Sequence, residues 1–307
     1  MSPMQFDRTF KAQPGEVVEL RPGIRRITAP NPGPMTFTGT NSYLIGTDRL
    51  AILDPGPQDE AHLDALLGAI GSAPVDAILV THTHRDHSPL ARALKRATGA
   101  PILGAGPHRF ARAVRDGDAS LDVAVDQDHV PDEVLDHGAR IEVGGGTIEV
   151  VATPGHTVNH RCFALEGSGV LFSGDHVMAW STSLIAPPDG DMSAYLESLQ
   201  SLLQRQDSLY LPGHGAKLND PLSYVEALFA HRMGRESAIL AALECDSLSV
   251  SSLVDRLYEG LDPRLRGAAG LSVLAHLGRL QSLGQASSIP GTDALWQAGP
   301  LAFDRND

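Results

Sequence analysis

The chain reads as an α/β protein with helices layered outside sheet and a smaller, mostly helical unit after it. Three observations point there. Apolar runs of strand length alternate with helical stretches over the first two thirds of the chain. Turns rich in glycine and proline and carrying histidine or aspartate follow four of those runs. Beyond residue 231 the strand signals give way to three helical stretches, at about 232–244, 249–259 and 264–283, and a Gly- and Pro-containing ribbon through Trp296.

In chain order, residues 17–20 and 24–29 are short strands about the Arg21-Pro22-Gly23 turn. Residues 41–45 and 50–53 pair across Gly46-Thr47-Asp48, and the second ends in Asp54-Pro55-Gly56. Asp54, at the end of a buried strand, either caps that turn or holds the far nitrogen of a metal-bound histidine. Residues 62–70 form a helix and 75–81 a strand, with Ser88 as the cap and Pro89 as the first residue of a helix through 98. Residues 109–138 are irregular and acid-rich. There Asp116, Asp118, Asp122, Asp126 and Asp128 read as a solvated face, and His108, His129 and His137 as ordinary side chains. Residues 139–143 and 147–152 pair and lead into Thr153-Pro154-Gly155-His156-Thr157. Residues 163–165 and 170–173 pair and end at Gly174-Asp175-His176, and 209–211 ends at Pro212-Gly213-His214-Gly215.

The chemistry concentrates after residue 80, where His82, His84, Asp86 and His87 fall within one tight turn. Zinc takes imidazole nitrogen and carboxylate oxygen at about 2.0–2.2 Å. His82 and His84 alternate as on an extended chain and point the same way; Asp86 and His87 follow once the chain has turned and face a second point. The spacing therefore suggests two metal ions. His156 is the natural next ligand, and Asp175 has the placement of a bridging carboxylate, with Gly174 leaving the backbone room to approach. His214 occupies the last strand-end turn. His160 either supports the site or packs. His176 either supports it, packs, or gives a proton to a leaving group. Trp180, with Ser181-Thr182-Ser183 and the Ala186-Pro187-Pro188-Asp189-Gly190 loop, should border a pocket.

Composition narrows the partners. The 307 residues, 42% hydrophobic and 20% charged, are ordinary for a folded soluble protein and long enough for two domains. No apolar run is long enough to span a membrane. The first residues lack the apolar core of a secretory signal, and Cys162 and Cys245 make no disulfide framework, so a reducing cytoplasm is the expected location. A formal net charge of -13, with Lys11, Lys95 and Lys217 as the lysines, argues against a broadly basic nucleic-acid face and against double-stranded DNA. Bound zinc would still make the pocket locally positive, so an anionic substrate is admissible. Nothing in the sequence sets an oligomeric state.

The turn set resembles the metallo-β-lactamase superfamily: His-x-His-x-Asp-His at 82–87, Thr-Pro-Gly-His at 153–156, Ser-Gly-Asp at 173–175 and Pro-Gly-His at 212–214. Gly39-Thr40-Asn41-Ser42-Tyr43-Leu44 and Leu53-Asp54-Pro55-Gly56 are similar to its first motifs, and the resemblance covers about residues 15–230. It implies an αββα sandwich over residues 1–230 as a zinc hydrolase domain. It also implies a ligand set of two Zn²⁺ per chain, one held by His82, His84 and His156 and the other by Asp86, His87 and His214. Asp175 would bridge them and act with Asp86 in catalysis. An aspartate at 175 favours the hydrolase branches (glyoxalase II, lactonases, nucleases) over the true β-lactamases. The stretch Ala275-His276-Leu277-Gly278-Arg279-Leu280, followed by Gly284-Gln285-Ala286, is similar to the winged-helix tail of the lactamase-beta-2-like subfamily, here residues 231–307. That subfamily includes a single-strand-preferring endoribonuclease.

Water held between two zinc ions is brought toward a neutral pKa and attacks as hydroxide, which serves thioesters, lactones and phosphodiesters alike. The expected activity is hydrolysis of a small acyl or thioester metabolite, with single-stranded RNA as the alternative substrate. The tail carries seven arginines, no lysine and nine acidic residues, a poor composition for a DNA-binding module. Since all seven candidate ligands precede it, a chain ending near residue 230 is expected to keep its zinc if it folds.

Overall fold

The computed structural model describes residues 4–114, 124–289 and 295–299. Two sheets stack face to face with helices on their outer sides. The first holds β1 (Val17–Arg21), β2 (Ile24–Thr28), β3 (Asn41–Ile45), β4 (Leu50–Leu53), β5 (Val75–Val80), β6 (Ile102–Gly104) and β7 (Glu133–Val134), side by side in chain order. α1 (Glu60–Ile70) and α2 (Ala91–Thr98) cross over between β4, β5 and β6, which run parallel. The second sheet holds β8 (Arg140–Val143), β9 (Gly146–Ala152), β10 (Arg161–Leu165), β11 (Val170–Gly174) and β12 (Leu209–Pro212), with α3 (Met192–Leu202) joining the parallel pair β11 and β12.

Alternation along the strands produces the layering, because successive side chains point to opposite faces. Tyr43, Ile45, Leu53 and Leu79 meet Val150, Phe163, Phe172 and Leu211 between the sheets. Their neighbours Leu44, Ile52, Ile78 and Val80 face the other way, onto Leu66 of α1 and Leu94 of α2. On the second sheet Val151, Cys162, Leu171 and Tyr210 pack against Tyr195 and Leu199 of α3 and against Val225 and Leu228 of α4 (Pro221–Cys245). The order is helix, sheet, sheet, helix.

The C-terminal unit holds β13 (Leu248–Ser249), α5 (Val250–Leu257), α6 (Arg266–Ser282), β14 (Ala286–Ser288) and β15 (Leu295–Ala298), with the end of α4 closing its core through Ile239 and Leu243. The three short strands pair in the order β13-β15-β14, a winged-helix arrangement. α4 starts at Pro221, capped by Asp220, and runs unbroken past the division expected at 230/231, so the two units share one helix.

Several local readings change. Ser88 does not cap a helix: α2 starts at Ala91, and the Ser88 hydroxyl donates to Asp126 Oδ2 at 2.7 Å. α1 begins two residues earlier than expected because the Asp59 side chain accepts the His62 N–H at 2.8 Å. α3 has no counterpart in the sequence reading, although Asp191 caps it and Met192, Tyr195, Leu196 and Leu199 repeat at helical spacing. Asp126 is not part of a solvated face: it is buried and paired with Arg92 at 3.1 Å. Asp116, Asp118 and Asp122 lie outside the described residues. Among the described residues no helix is long and apolar enough to cross a membrane.

Candidate metal centre

β4, β5, β9, β11 and β12 all deliver their C-terminal turns to one edge of the sandwich. Two groups of side chains meet there, His82, His84 and His156 in one and Asp86, His87, Asp175 and His214 in the other. Gly213 makes the approach possible, since a Cβ at that position would lie 2.5 Å from Asp175 Oδ1 and 2.7 Å from the His87 ring. Asn41 ties the last turn to the first sheet, donating from its side chain to the carbonyls of Pro212 at 3.1 Å and Gly215 at 3.0 Å.

Hydrogen-bond accounting fixes which ring nitrogens are free. His84 Nε2–H donates to Asp189 Oδ2 at 3.0 Å, and His156 Nδ1–H donates to the Leu184 carbonyl at 2.6 Å. The Thr81 hydroxyl donates to Asp54 Oδ2, so it accepts from His82 Nδ1–H at 2.9 Å. Three lone pairs remain, on His82 Nε2, His84 Nδ1 and His156 Nε2, and these atoms converge to 3.1 and 3.0 Å. Facing lone pairs repel unless a cation sits among them. A tetrahedral ion with nitrogen ligands at about 2.0–2.1 Å has N···N edges of about 3.3–3.4 Å, close to this spacing.

The second group follows the same logic. His87 Nδ1–H donates to Asp54 Oδ2 at 2.9 Å and His214 Nδ1–H to the Gly39 carbonyl at 3.2 Å. Their Nε2 atoms face Asp86 Oδ2 at 3.3 and 3.1 Å, and lie 3.4 Å from Asp175 Oδ1 and Oδ2 respectively. His87 Nε2, His214 Nε2 and Asp175 Oδ1 are buried with no hydrogen-bond partner. Asp175 Oδ2 also lies 3.8 Å from His156 Nε2, so this carboxylate reaches both groups.

The two groups differ in charge. Burial, then the imidazoles of His87 and His84, hold the His82 pKa well below its ordinary value; burial and His84 lower that of His156. These are neutral donors. At His214 burial opposes protonation, yet the carboxylates of Asp175 and Asp86 outweigh it and push the pKa up to about 9. Burial likewise resists ionisation of Asp175, and His214 and His87 overcome it. A field that draws protons onto buried imidazoles is one that holds a dication.

Residues 35–214 match the family model for the metallo-beta-lactamase superfamily, and residues 249–296 match that for the beta-lactamase associated winged helix domain. The chain belongs to the metallo-beta-lactamase superfamily. A beta-lactamase-like protein 2 homolog from Drosophila melanogaster is 30% identical over 277 residues, covering 88% of this chain and 91% of the relative. An atrochrysone carboxyl ACP thioesterase from Passalora fulva is 31% identical over 258 residues, covering 79% of this chain and 70% of the relative. Among solved structures, a beta-lactamase domain protein from Burkholderia ambifaria superposes with a TM-score of 0.79 at 25% identity, over 97% of this chain and 100% of that one. The chain is thus a superfamily hydrolase with a His/Asp site able to hold two metal ions.

Around this superfamily centre, Asp54 sits at φ 47° and accepts the Thr81 N–H at 2.8 Å as well as bonding His87 and the Thr81 hydroxyl. It aims both His82 and His87, the latter directly. Asp54→Asn, which puts an N–H₂ against donors, is expected to weaken metal binding about tenfold, measured by chelator competition; wild-type affinity would deny Asp54 that role. His160 Nε2 accepts the Asp175 N–H at 3.1 Å while Nδ1 meets Thr153 Oγ1 at 2.8 Å, so it braces the Asp175 backbone. His176 is not a proton donor to a leaving group. It is fully buried against the Tyr195 ring at 4.6 Å, away from the cavity, and burial takes its pKa down to about 3.

The centre opens into a cavity of about 680 Å³ lined by His84, Asp86, His156 and Asp175 on one side and by the C-terminal unit on the other. Trp180 forms part of its wall, stacked on Phe37 with centroids 5.0 Å apart. Ala186 and Asp189 border it as the loop reading expected. The sequence reading gave no role to Asp189 itself, to His108, whose Nδ1 meets Thr83 Oγ1 at 3.2 Å, or to Arg232. The Pro-Pro-Asp-Gly turn was a usable signal for Asp189; Arg232 lies in a helix with nothing local to mark it.

Proposed function

We propose that this protein is a dinuclear zinc hydrolase of thioesters or related acyl metabolites. In this reading His82, His84 and His156 hold one ion, Asp86, His87 and His214 hold the other, and Asp175 spans both. The observation that carries it is the convergence of three uncommitted imidazole nitrogens beside a carboxylate-rich group, with Asp175 Oδ2 in reach of each. Imidazole and carboxylate donors in these numbers suit zinc. When bound, two such ions polarise an acyl carbonyl and bring intervening water toward a neutral pKa.

The chain's own residues supply the rest. Asp189, Leu184, Thr81, Asp54 and Gly39 fix the tautomers of the five histidines, so that each presents an unshared pair inward. Asp86, whose side chain is 25% exposed, borders the cavity. It accepts the proton released as the water oxygen bonds to the acyl carbon, and returns it to the sulfur as the C–S bond breaks. Trp180, stacked on Phe37, walls one side of the cavity. The Passalora fulva relative, a thioesterase by name, lends support to acyl chemistry.

The test is a parallel assay of the zinc-loaded protein on acyl thioesters and on single-stranded RNA. Metal-dependent thioester hydrolysis is expected, changing little with salt. RNA binding through phosphates would fall by orders of magnitude between about 50 and 200 mM salt. Robust RNA cleavage with negligible thioester turnover would replace this reading with a nuclease one.

A further inference from the structure

The helix that a helix-turn-helix module would present to a nucleic-acid groove is here turned inward. Leu265, Ala268, Ala269 and Ser272, spaced three, four and seven residues along the start of α6, form one face and line the cavity that contains the metal centre. Leu261 and Tyr258 extend that wall. Tyr258 is held in place, because the Arg235 guanidinium lies 4.0 Å over its ring while Nη1 donates to the Leu257 carbonyl at 2.7 Å. The outer charges of the helix are also engaged, Arg266 with Asp255 and Arg279 with the buried Glu236.

We propose that the C-terminal unit is the acyl-binding wall of the enzyme, and that the preferred substrate carries a bulky apolar acyl group, a medium-length chain or a ring system. This rests on the acyl-hydrolase reading above. The cavity, at about 680 Å³, lies mid-range for organic ligands of roughly 300–1,000 Å³, so an acetyl or lactoyl group would leave most of it to water. Its far wall joins Tyr258, Leu261, Leu265, Ala268 and Ala269 to the polar His231, Arg232, Arg235 and Ser272, and water released from the apolar part favours an apolar occupant. Alanines at 268 and 269 leave the room that larger side chains would fill. Continuity with His84, Asp86, His156 and Asp175 puts the acyl carbon of such a substrate within reach of the centre.

The experiment compares wild type, Ala268→Phe, which narrows the cavity, and Leu265→Ala, which widens it. Each zinc-loaded protein is assayed on acetyl and octanoyl thioesters of N-acetylcysteamine and titrated calorimetrically with octanoate, after circular dichroism has confirmed folding. Wild type should prefer octanoyl by at least about tenfold in kcat/KM, and Ala268→Phe should reduce that ratio about tenfold, the discrimination of one or two methylenes. Leu265→Ala gives a second reading, with octanoate binding several-fold weaker. An octanoyl-to-acetyl ratio unchanged in both variants, or below one in wild type, overturns the proposal. If wild type hydrolyses no thioester, the acyl-hydrolase reading fails alone. The octanoate titration then decides the wall, which stands if both variants weaken binding and falls if wild type binds none.

Discussion

Asp175→Ala is expected to lower acyl hydrolysis on the order of a thousandfold or more, and to reduce metal content from two ions per chain toward one. The two ligand groups are unequal without this carboxylate. Three imidazoles can still hold an ion, but His87 and His214 lose one of the two carboxylates that face both rings and keep only Asp86. The residual ion therefore belongs to the His82, His84 and His156 group. The sandwich should stay folded, since Asp175 lies at the rim and both the inter-sheet layer and the layer under α3 are built from other residues. Elemental analysis, far-ultraviolet dichroism and turnover on the same preparation test this together. Two retained ions, or substantial activity with one, would show that Asp175 does not span the pair.

Legibility in the sequence follows the range of the interaction. Strands such as 41–45 and 75–80 announce themselves through local apolar runs, and the turns that end them through glycine, proline and histidine within a few residues. His82, His84, Asp86 and His87 are one tight cluster, so their grouping needed no tertiary knowledge, whereas the meeting with His156, Asp175 and His214 depends on three other strand ends. What stayed hidden is contact between distant segments. Asp126 looked solvated because its partners, Ser88 and Arg92, come from another turn and helix. The role of His176 stayed open between support, packing and proton donation because adjacency to Asp175 says nothing about facing Tyr195 rather than the cavity. The inward face of α6 is equally invisible, since amphipathicity does not name the surface a helix covers.

Arg232 is the contact that most changes expectations for the C-terminal part. It is 3% exposed and projects from α4, donating through Nη2 to the Ser183 carbonyl, with its guanidinium 5.2 Å over the Tyr195 ring. Ser183 in turn donates its hydroxyl to the Asp175 carbonyl, and the next residue, Leu184, accepts from His156 Nδ1 at 2.6 Å. One guanidinium thus steadies the loop that holds both Asp175 and His156. A chain ending near residue 230 would lose it and cut α4 in mid-course, so such a chain is expected to bind metal poorly, although every candidate ligand precedes the cut. In the intact protein Arg232→Ala isolates the effect. Metal affinity should fall by about 10–100-fold in competition with a chelator, the usual cost of losing support behind ligands. The unfolding free energy should drop by about 1–3 kcal/mol, because a buried carbonyl loses its donor. Arg232→Lys keeps a charge but not the planar stack on Tyr195, and should fall between the two. Wild-type metal affinity and midpoint in Arg232→Ala would mean that the loop is held by its own turns, and that the C-terminal unit acts on the substrate without acting on the metals.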